Sequence, residues 1–342
     1  MQLDLSRSKA YFIFGCLLTF LIILFLSTYS SPHSASADVD SSLAEIGTIA
    51  WQDGDLIKIA SFPDLSVPQS GIQGTSPQFL ADGSRLFYQN EQKILSQLPN
   101  GGDEQTHVIE EGFSGYFDMT PDGEKFAAAH TVAHIYAFPL SGLCFAFEPT
   151  IFENGEITST QRNARTAEIS LSADGRWMVY SDYGRCSVSG ERIYDIPNFC
   201  VKDLLTDEPQ CIEEANYTDP DFAPTGSALA FTAVSNGQRE VWTAEVQADR
   251  SLTNLLQVTH GGANQPAAEP TFSTNGEWII YQRDIDQSET QTFELFIVKT
   301  DGSMGRSLGI QGTYPAWSNG LPDSNPPVGE LNEHFYLPLI GN

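Results

Sequence analysis

The stretch Glu269-Pro270-Thr271-Phe272-Ser273-Thr274-Asn275-Gly276-Glu277-Trp278-Ile279-Ile280-Tyr281 decides the fold, because the chain repeats it. Aligned on the turn glycine, four more copies read Ser76-Pro-Gln-Phe-Leu-Ala-Asp-Gly-Ser-Arg-Leu-Phe-Tyr, Gly115-Tyr-Phe-Asp-Met-Thr-Pro-Asp-Gly-Glu-Lys-Phe-Ala-Ala, Ala167-Glu-Ile-Ser-Leu-Ser-Ala-Asp-Gly-Arg-Trp-Met-Val-Tyr and Asp219-Pro-Asp-Phe-Ala-Pro-Thr-Gly-Ser-Ala-Leu-Ala-Phe. A sixth begins at Tyr314-Pro-Ala-Trp-Ser-Asn-Gly and stops there, one residue short before Gly320. The glycines Gly83, Gly123, Gly175, Gly226, Gly276 and Gly320 fall 40, 52, 51, 50 and 44 residues apart, the spacing of four-stranded propeller blades.

Each column has a physical cause. Asp-Gly or Asn-Gly supplies the positive φ angles of a tight hairpin turn, where glycine has no Cβ to clash. Four residues before the glycine stands an apolar side chain: Phe79, Met119, Leu171, Phe222 or Phe272. Three and five residues after it come Leu86/Tyr88, Phe126/Ala128, Met178/Tyr180, Leu229/Phe231 and Ile279/Tyr281, a period of two that marks a strand. The residue between is often apolar as well (Phe87, Val179, Ile280), as expected of a strand covered on both faces by neighbouring blades. A third strand is expected at 94–98, 135–140, 199–204, 241–246 and 295–299, with a variable fourth closing each blade.

The truncated sixth copy needs strands from elsewhere. Ile46-Gly-Thr-Ile-Ala-Trp-Gln-Asp-Gly-Asp-Leu-Ile-Lys-Ile-Ala supplies them, with 49–51 as second strand and 56–59 as third. The sequence therefore predicts an all-β, six-bladed β-propeller over residues 46–318, its last blade closed by the N-terminal strands. Closure of this kind leaves few free sheet edges.

The pattern P-x-F-S-x-D-G-x-x-I-x-[FY], followed by an apolar third strand and a second Asp-Gly, resembles the repeats of TolB-type propellers over nearly all of residues 46–318. The resemblance implies the fold. It does not select a function, because related repeats occur in envelope scaffolds and in the propeller domains of prolyl-oligopeptidase-like peptidases. TolB itself carries an α/β domain before its propeller, whereas only residues 38–45 separate Ala37 from the first expected strand here. The chain is expected to be TolB-like rather than TolB.

The first 37 residues read as an export signal. Arg7 and Lys9 precede an apolar run from Ala10 to Leu26, and Ala35-Ser36-Ala37 forms an A-x-A cleavage pattern. A run of that length also sits at the lower edge of what spans a bilayer, so a cleaved signal peptide and a retained N-terminal anchor both fit. Membrane contact is expected only through this segment, if it is retained. The location is then periplasmic, extracellular or membrane-anchored. Cys16 after Ile13-Phe14-Gly15 resembles a lipoprotein box only faintly, since Phe14 is bulky and no apolar stretch precedes it. Residues 319–342 read as a Pro/Gly/Asn-rich linker and a short apolar tail, Glu333-His-Phe-Tyr-Leu-Pro-Leu-Ile-Gly-Asn, fit to dock on the ring or to serve as an interaction tag.

Charge excludes one class of partner. Against 44 Asp and Glu stand 17 Lys and Arg, a net charge of −27, and such a surface repels phosphate backbones, so no nucleic acid is expected. Four cysteines follow the export segment, and an even count in an exported chain suggests disulfides. Cys200 and Cys211 flank a predicted hairpin that holds them side by side, which leaves Cys144 for Cys186; free buried thiols are the alternative.

Motifs that carry chemistry are few. Gly305-Arg306-Ser307-Leu308-Gly309 fits G-x-S-x-G, but a nucleophile elbow needs a strand before it, a helix after it and Asp and His partners. This copy falls in the fourth-strand region of the fifth repeat, so its glycines are assigned to turns. His130 and His134 are placed at the turn between two strands of the second blade, without a third metal ligand. Asp284-Ile285-Asp286-Gln287-Ser288-Glu289 lacks the spacing of a calcium loop and reads as a solvated acidic loop. Asn216-Tyr217-Thr218 is a glycosylation sequon. No catalytic, cofactor or metal residue is assigned. The expected role is a monomeric, non-catalytic scaffold that binds a protein or peptide with loops at the channel mouth, including the long one at 182–197. The alternative is a propeller hydrolase or lyase, sugar-active for example, with its site at that mouth.

Overall fold

The computed structural model describes residues 47–318, apart from 63–64, 66–70, 110–112, 137–141, 163, 165, 167, 184–196, 263–264 and 287–290. The export segment 1–37, Cys186 and the tail 319–342 lie outside the described residues. Among the described residues every regular element is a strand. The N-terminal segment gives β1 (Thr48–Asp53), β2 (Leu56–Ser61) and β3 (Ile72–Gln73). Blade 1 is β4 (Thr75–Phe79), β5 (Leu86–Asn90), β6 (Lys93–Gln97) and β7 (Gln105–Ile109). Blade 2 is β8 (Phe113–Met119), β9 (Lys125–Tyr136), β10 (Gly142–Glu153) and β11 (Glu156–Thr160). Blade 3 is β12 (Ile169–Leu171), β13 (Trp177–Asp182), β14 (Asn198–Asp203) and β15 (Glu208–Ile212). Blade 4 is β16 (Tyr217–Phe222), β17 (Ala228–Ser235), β18 (Gln238–Val246) and β19 (Leu252–Gln257). Blade 5 is β20 (Ala267–Phe272), β21 (Trp278–Asp284), β22 (Phe293–Lys299) and β23 (Arg306–Gln311), and β24 (Thr313–Ser318) begins blade 6.

The last blade closes as the truncated repeat requires. Its strand order is β24-β1-β2-β3, with Thr48 opposite Ser318, Ile49 opposite Trp317 and Ala50 opposite Ala316. The other five sheets each run in simple sequence order. Side-chain alternation then welds the ring. Ile49 and Trp51 point into a cluster with Trp278, Ile280 and Trp317, toward blade 5, while Ala50 points into a cluster with Leu86 and Tyr88, toward blade 1. Six such clusters fill the six blade interfaces, which is why second strands such as Ile279-Ile280-Tyr281 are apolar on both faces.

Two local expectations need correction. In the Asp-Gly turns only the glycine takes positive φ, for example +72° at Gly123 and +64° at Gly175; the preceding Asp does not. Aspartate serves through its side chain. Asp174 Oδ1 accepts from Ser172 Oγ at 2.6 Å and from the Arg176 N–H at 3.0 Å, and Ser172 Oγ accepts from the Trp177 N–H at 2.9 Å. Thr120 with Asp122, and Ser273 with Asn275, build the same turn.

Blade 2 departs further. Its second strand does not end near residue 130, and the segment at 135–140 is not its third strand. β9 runs unbroken through His130 and His134 to Tyr136 and pairs with β10 from Lys125↔Glu153 to Tyr136↔Gly142. The histidines are thus within a strand, not at a turn. Residues 125–136 hold no glycine or proline to break the strand, and pairing with β10 across twelve residues sets its length.

Candidate functional site

The innermost strands β4, β8, β12, β16, β20 and β24 surround the central channel, and each of the first five runs from one mouth toward its turn glycine. Lining the first mouth is one residue per blade, seven before each turn glycine in the first five blades: Ser76, Tyr116, Glu168, Asp219 and Glu269, with Tyr314 in the sixth. Four of these directly precede a proline (Pro77, Pro220, Pro270, Pro315). Proline donates no ladder hydrogen bond, so it is tolerated on an edge strand at a bulge. The pairing shifts there, between Thr75 and Gln78, Thr218 and Asp221, and Ala268 and Thr271. Each bulge holds a non-glycine residue in the left-handed region, with φ of +51° at Ser76, +52° at Asp219, +51° at Glu269 and +48° at Tyr314. Such bulges re-aim side chains, here into the channel.

The ring divides into two arcs. Blades 3, 4 and 5 contribute carboxylates, and blades 6, 1 and 2 contribute Tyr314, Ser76 and Tyr116. Glu168 Oε1 accepts from Tyr183 Oη at 2.9 Å, and its Oε2 accepts from the Asp219 N–H at 3.2 Å. Asp219 Oδ2 accepts from Thr232 Oγ1 at 2.7 Å. Glu269 has no side-chain hydrogen-bond partner among the described residues. Burial, together with the Asp219 and Glu168 charges, holds its carboxyl well above the usual range. Burial and the Asp219 charge likewise push Glu168 up to about 7. The basic group of this neighbourhood is Arg239, whose Nη1 donates to Thr218 Oγ1 at 2.8 Å. Across the channel the Tyr116 and Tyr314 rings lie 4.6 Å apart, joined by a hydrogen bond between their hydroxyls. Burial and the Glu269 charge raise both phenols, Tyr314 to about 12.

A second layer lies deeper. Asp118, Ser170 and Asp221 occupy the position five before the glycine, and each accepts a backbone N–H from the next blade: Leu171 N at 2.7 Å, Phe222 N at 2.9 Å and Phe272 N at 2.8 Å. Burial raises both aspartates, and the Asp118 charge adds to the effect at Asp221. The cavities at the two layers measure about 60 and 80 Å³, room for a few waters or one narrow side chain.

The residues singled out in the sequence fall elsewhere. Cys200 and Cys211 face each other on β14 and β15 and form a disulfide, with 4.0 Å between their Cα atoms. Cys144 lies on β10, opposite His134 in register. Ser307 is in β23, an outer strand, and its hydroxyl donates to the Glu294 carboxylate. Asp284 ends β21 and accepts from the Asp286 N–H at 3.0 Å, while Glu289 lies outside the described residues. Asn216 takes φ of +53° just before β16. Among the described residues, no three His, Cys, Asp or Glu side chains adopt a metal-binding arrangement. Of the loop expected at 182–197, residues 184–196 lie outside the described residues and Tyr183 reaches the mouth through Glu168; none of the other described candidates lines it. The column that does was visible in the repeat alignment, three places before the apolar column.

No family model matches the chain, and no curated protein is similar to it in sequence. Solved structures are similar in fold. TolB from Acinetobacter baumannii superposes with a TM-score of 0.58 at 15% identity, over 80% of this chain and 67% of that one. A protein described as a TolB from Agrobacterium tumefaciens gives 0.55 at 14% identity, over 78% and 89%. The fold is the TolB-type six-bladed propeller. At such identities the TolB likeness concerns the backbone alone, and the residues of the mouth must be read on their own chemistry.

Proposed function

We propose that this chain is an exported, monomeric, non-catalytic scaffold that binds a protein or peptide segment at the channel mouth, and that it recognises a cationic group there. The acidic arc carries the reading. Glu168, Asp219 and Glu269 converge on one side of a narrow opening, and Glu269 has no side-chain partner among the described residues. Two tyrosine rings stand opposite, and a carboxylate arc facing aromatic rings suits an ammonium or guanidinium group. A cation entering the mouth relieves the repulsion among the three acids. Positive φ at Asp219, Glu269 and Tyr314 supports the reading, because backbone strain of this kind gathers at ligand sites. The Cys200–Cys211 bridge supports an oxidising, exported location, as does the A-x-A pattern. A second bridge between Cys144 and Cys186 belongs to the same proposal.

The test is calorimetric titration with three decapeptides of equal length, one rich in Lys and Arg, one neutral and one acidic. The basic peptide binds, its affinity falls as salt rises, and Glu269→Gln weakens it at least tenfold. Equal binding of all three overturns the reading. One observation favours an enzyme as the second reading: a carboxyl with a pKa of about 7 beside other carboxyls suits proton transfer. Turnover of an offered substrate that is lost in Glu168→Gln would favour it.

A further inference from the structure

The ring carries a concavity apart from the channel. It is a groove of about 520 Å³ on the outer flank of the ring, between blade 6 and blade 1, where the chain passes from β3 to β4. Its origin is topological. The outermost strand of blade 6, β3, pairs through only Leu56↔Gln73 and Ile57↔Ile72, whereas the outermost strands of the other blades span five or six residues. The short strand leaves this interface open. Ile59 and Ile72, both partly exposed, provide an apolar floor packed on the buried cluster of Ile57 and Tyr88.

Polar groups converge on this floor. Tyr88 Oη lies 2.7 Å from Glu104 Oε2 and 3.2 Å from Gln97 Oε1. Gln97 is only 9% exposed, and its amide nitrogen has no partner among the described residues, so its two N–H donors open onto the groove. Gln73 adds an amide with both ends free among the described residues. Glu104 is the one charged residue among those lining the groove, and it retains a carboxylate oxygen beyond the one that Tyr88 engages. A volume within the 300–1,000 Å³ of small-ligand sites, planar amides, one carboxylate and an apolar floor define the ligand chemically. Such a lining suits a neutral ligand with several hydroxyls to meet the amides and the carboxylate and an apolar face to lie on isoleucine.

We infer that the groove between blades 6 and 1 is a binding site for a neutral carbohydrate of one or two sugar units, held by Gln73, Gln97 and Glu104 over Ile59 and Ile72. The site is separate from the channel mouth and independent of the reading given to it.

The test is saturation-transfer NMR on the full chain with maltose, cellobiose, lactose and chitobiose, and with a glucuronate disaccharide as charged control. At least one neutral disaccharide receives saturation, the charged one does not, and binding weakens at least tenfold in the surface pair Gln73→Ala/Glu104→Gln. That pair leaves the buried residues in place, so folding is preserved and circular dichroism confirms it. Gln97→Met gives the same loss, and Glu269→Gln in the channel leaves the transfer unchanged. Absence of transfer from all four neutral sugars overturns the inference. So does transfer that survives the Gln73/Glu104 pair, or that disappears with Glu269→Gln.

Discussion

The carboxylate of Asp118 on blade 2 accepts the backbone N–H of Leu171 on blade 3 at 2.7 Å. The hydroxyl of Ser170 and the carboxylate of Asp221 make the equivalent bond to the next blade in turn. Inner strands are edge strands, and these side chains occupy N–H groups that would otherwise face the channel unpaired. The channel wall is thus stitched blade to blade by side chains of the repeat itself.

Removal of the Asp118 stitch orphans the Leu171 N–H. Asp118→Ala lowers unfolding free energy by about 1–3 kcal/mol in urea denaturation. Asp118→Asn keeps an oxygen acceptor and costs less than half as much, because burial already disfavours the charged aspartate. Equal losses in the two variants contradict the stitch.

The acidic arc is a source of instability in the absence of a ligand. Glu168 and Glu269 have folded pKa values raised above their unfolded ones, so their contribution is favourable at low pH. It is lost as pH rises from about 4.5 through about 7, the raised value of Glu168. Glu168→Gln/Glu269→Gln therefore unfolds at a higher temperature than the parent at pH 7.5, by several degrees, and the difference shrinks at pH 5. Calorimetric melts across that range check the sign, which reverses if the carboxylates stabilise the ring.

Ring closure predicts that the two ends are one folding unit. Trp317 packs with Ile49, Trp278 and Ile280 at the interface of blades 5 and 6, and Trp317→Ala costs about 3–5 kcal/mol. Deletion of residues 1–55, which removes β1, leaves β24 without its neighbour and abolishes cooperative unfolding. Deletion of 1–37 alone leaves the near-ultraviolet circular dichroism and the melting temperature unchanged.

The bridge between Cys200 and Cys211 closes a short loop between β14 and β15. Reduction, or Cys200→Ser/Cys211→Ser, lowers stability by up to about 3 kcal/mol without altering the fold. Thiol titration of the unfolded chain before and after reduction reads the bridge directly.

The fold was legible because its determinants repeat. Phe272, Ile279 and Tyr281 have counterparts in every complete copy, and the missing strands of the sixth copy were found at Ile49 to Ile59. Blade 2 is less legible because no glycine or proline punctuates 125–136, so strand pairing with Gly142–Glu153 sets its length. The mouth was harder. Glu168 has no proline after it, Tyr314 stands one place out of register with its glycine, and the six residues differ in chemistry. Only the closed ring brings Glu168, Asp219 and Glu269 together, from positions about fifty residues apart in sequence.

The central claim is that these three acids form a cation-binding arc, and carboxyl-carbon NMR of the free and peptide-saturated protein tests it most directly. In the free protein Glu168 titrates near 7; with the Lys/Arg-rich decapeptide bound, Glu168 and Glu269 move down toward the ordinary carboxylate range, and affinity rises with pH across the same interval. Titration curves unchanged by saturating peptide would contradict the account.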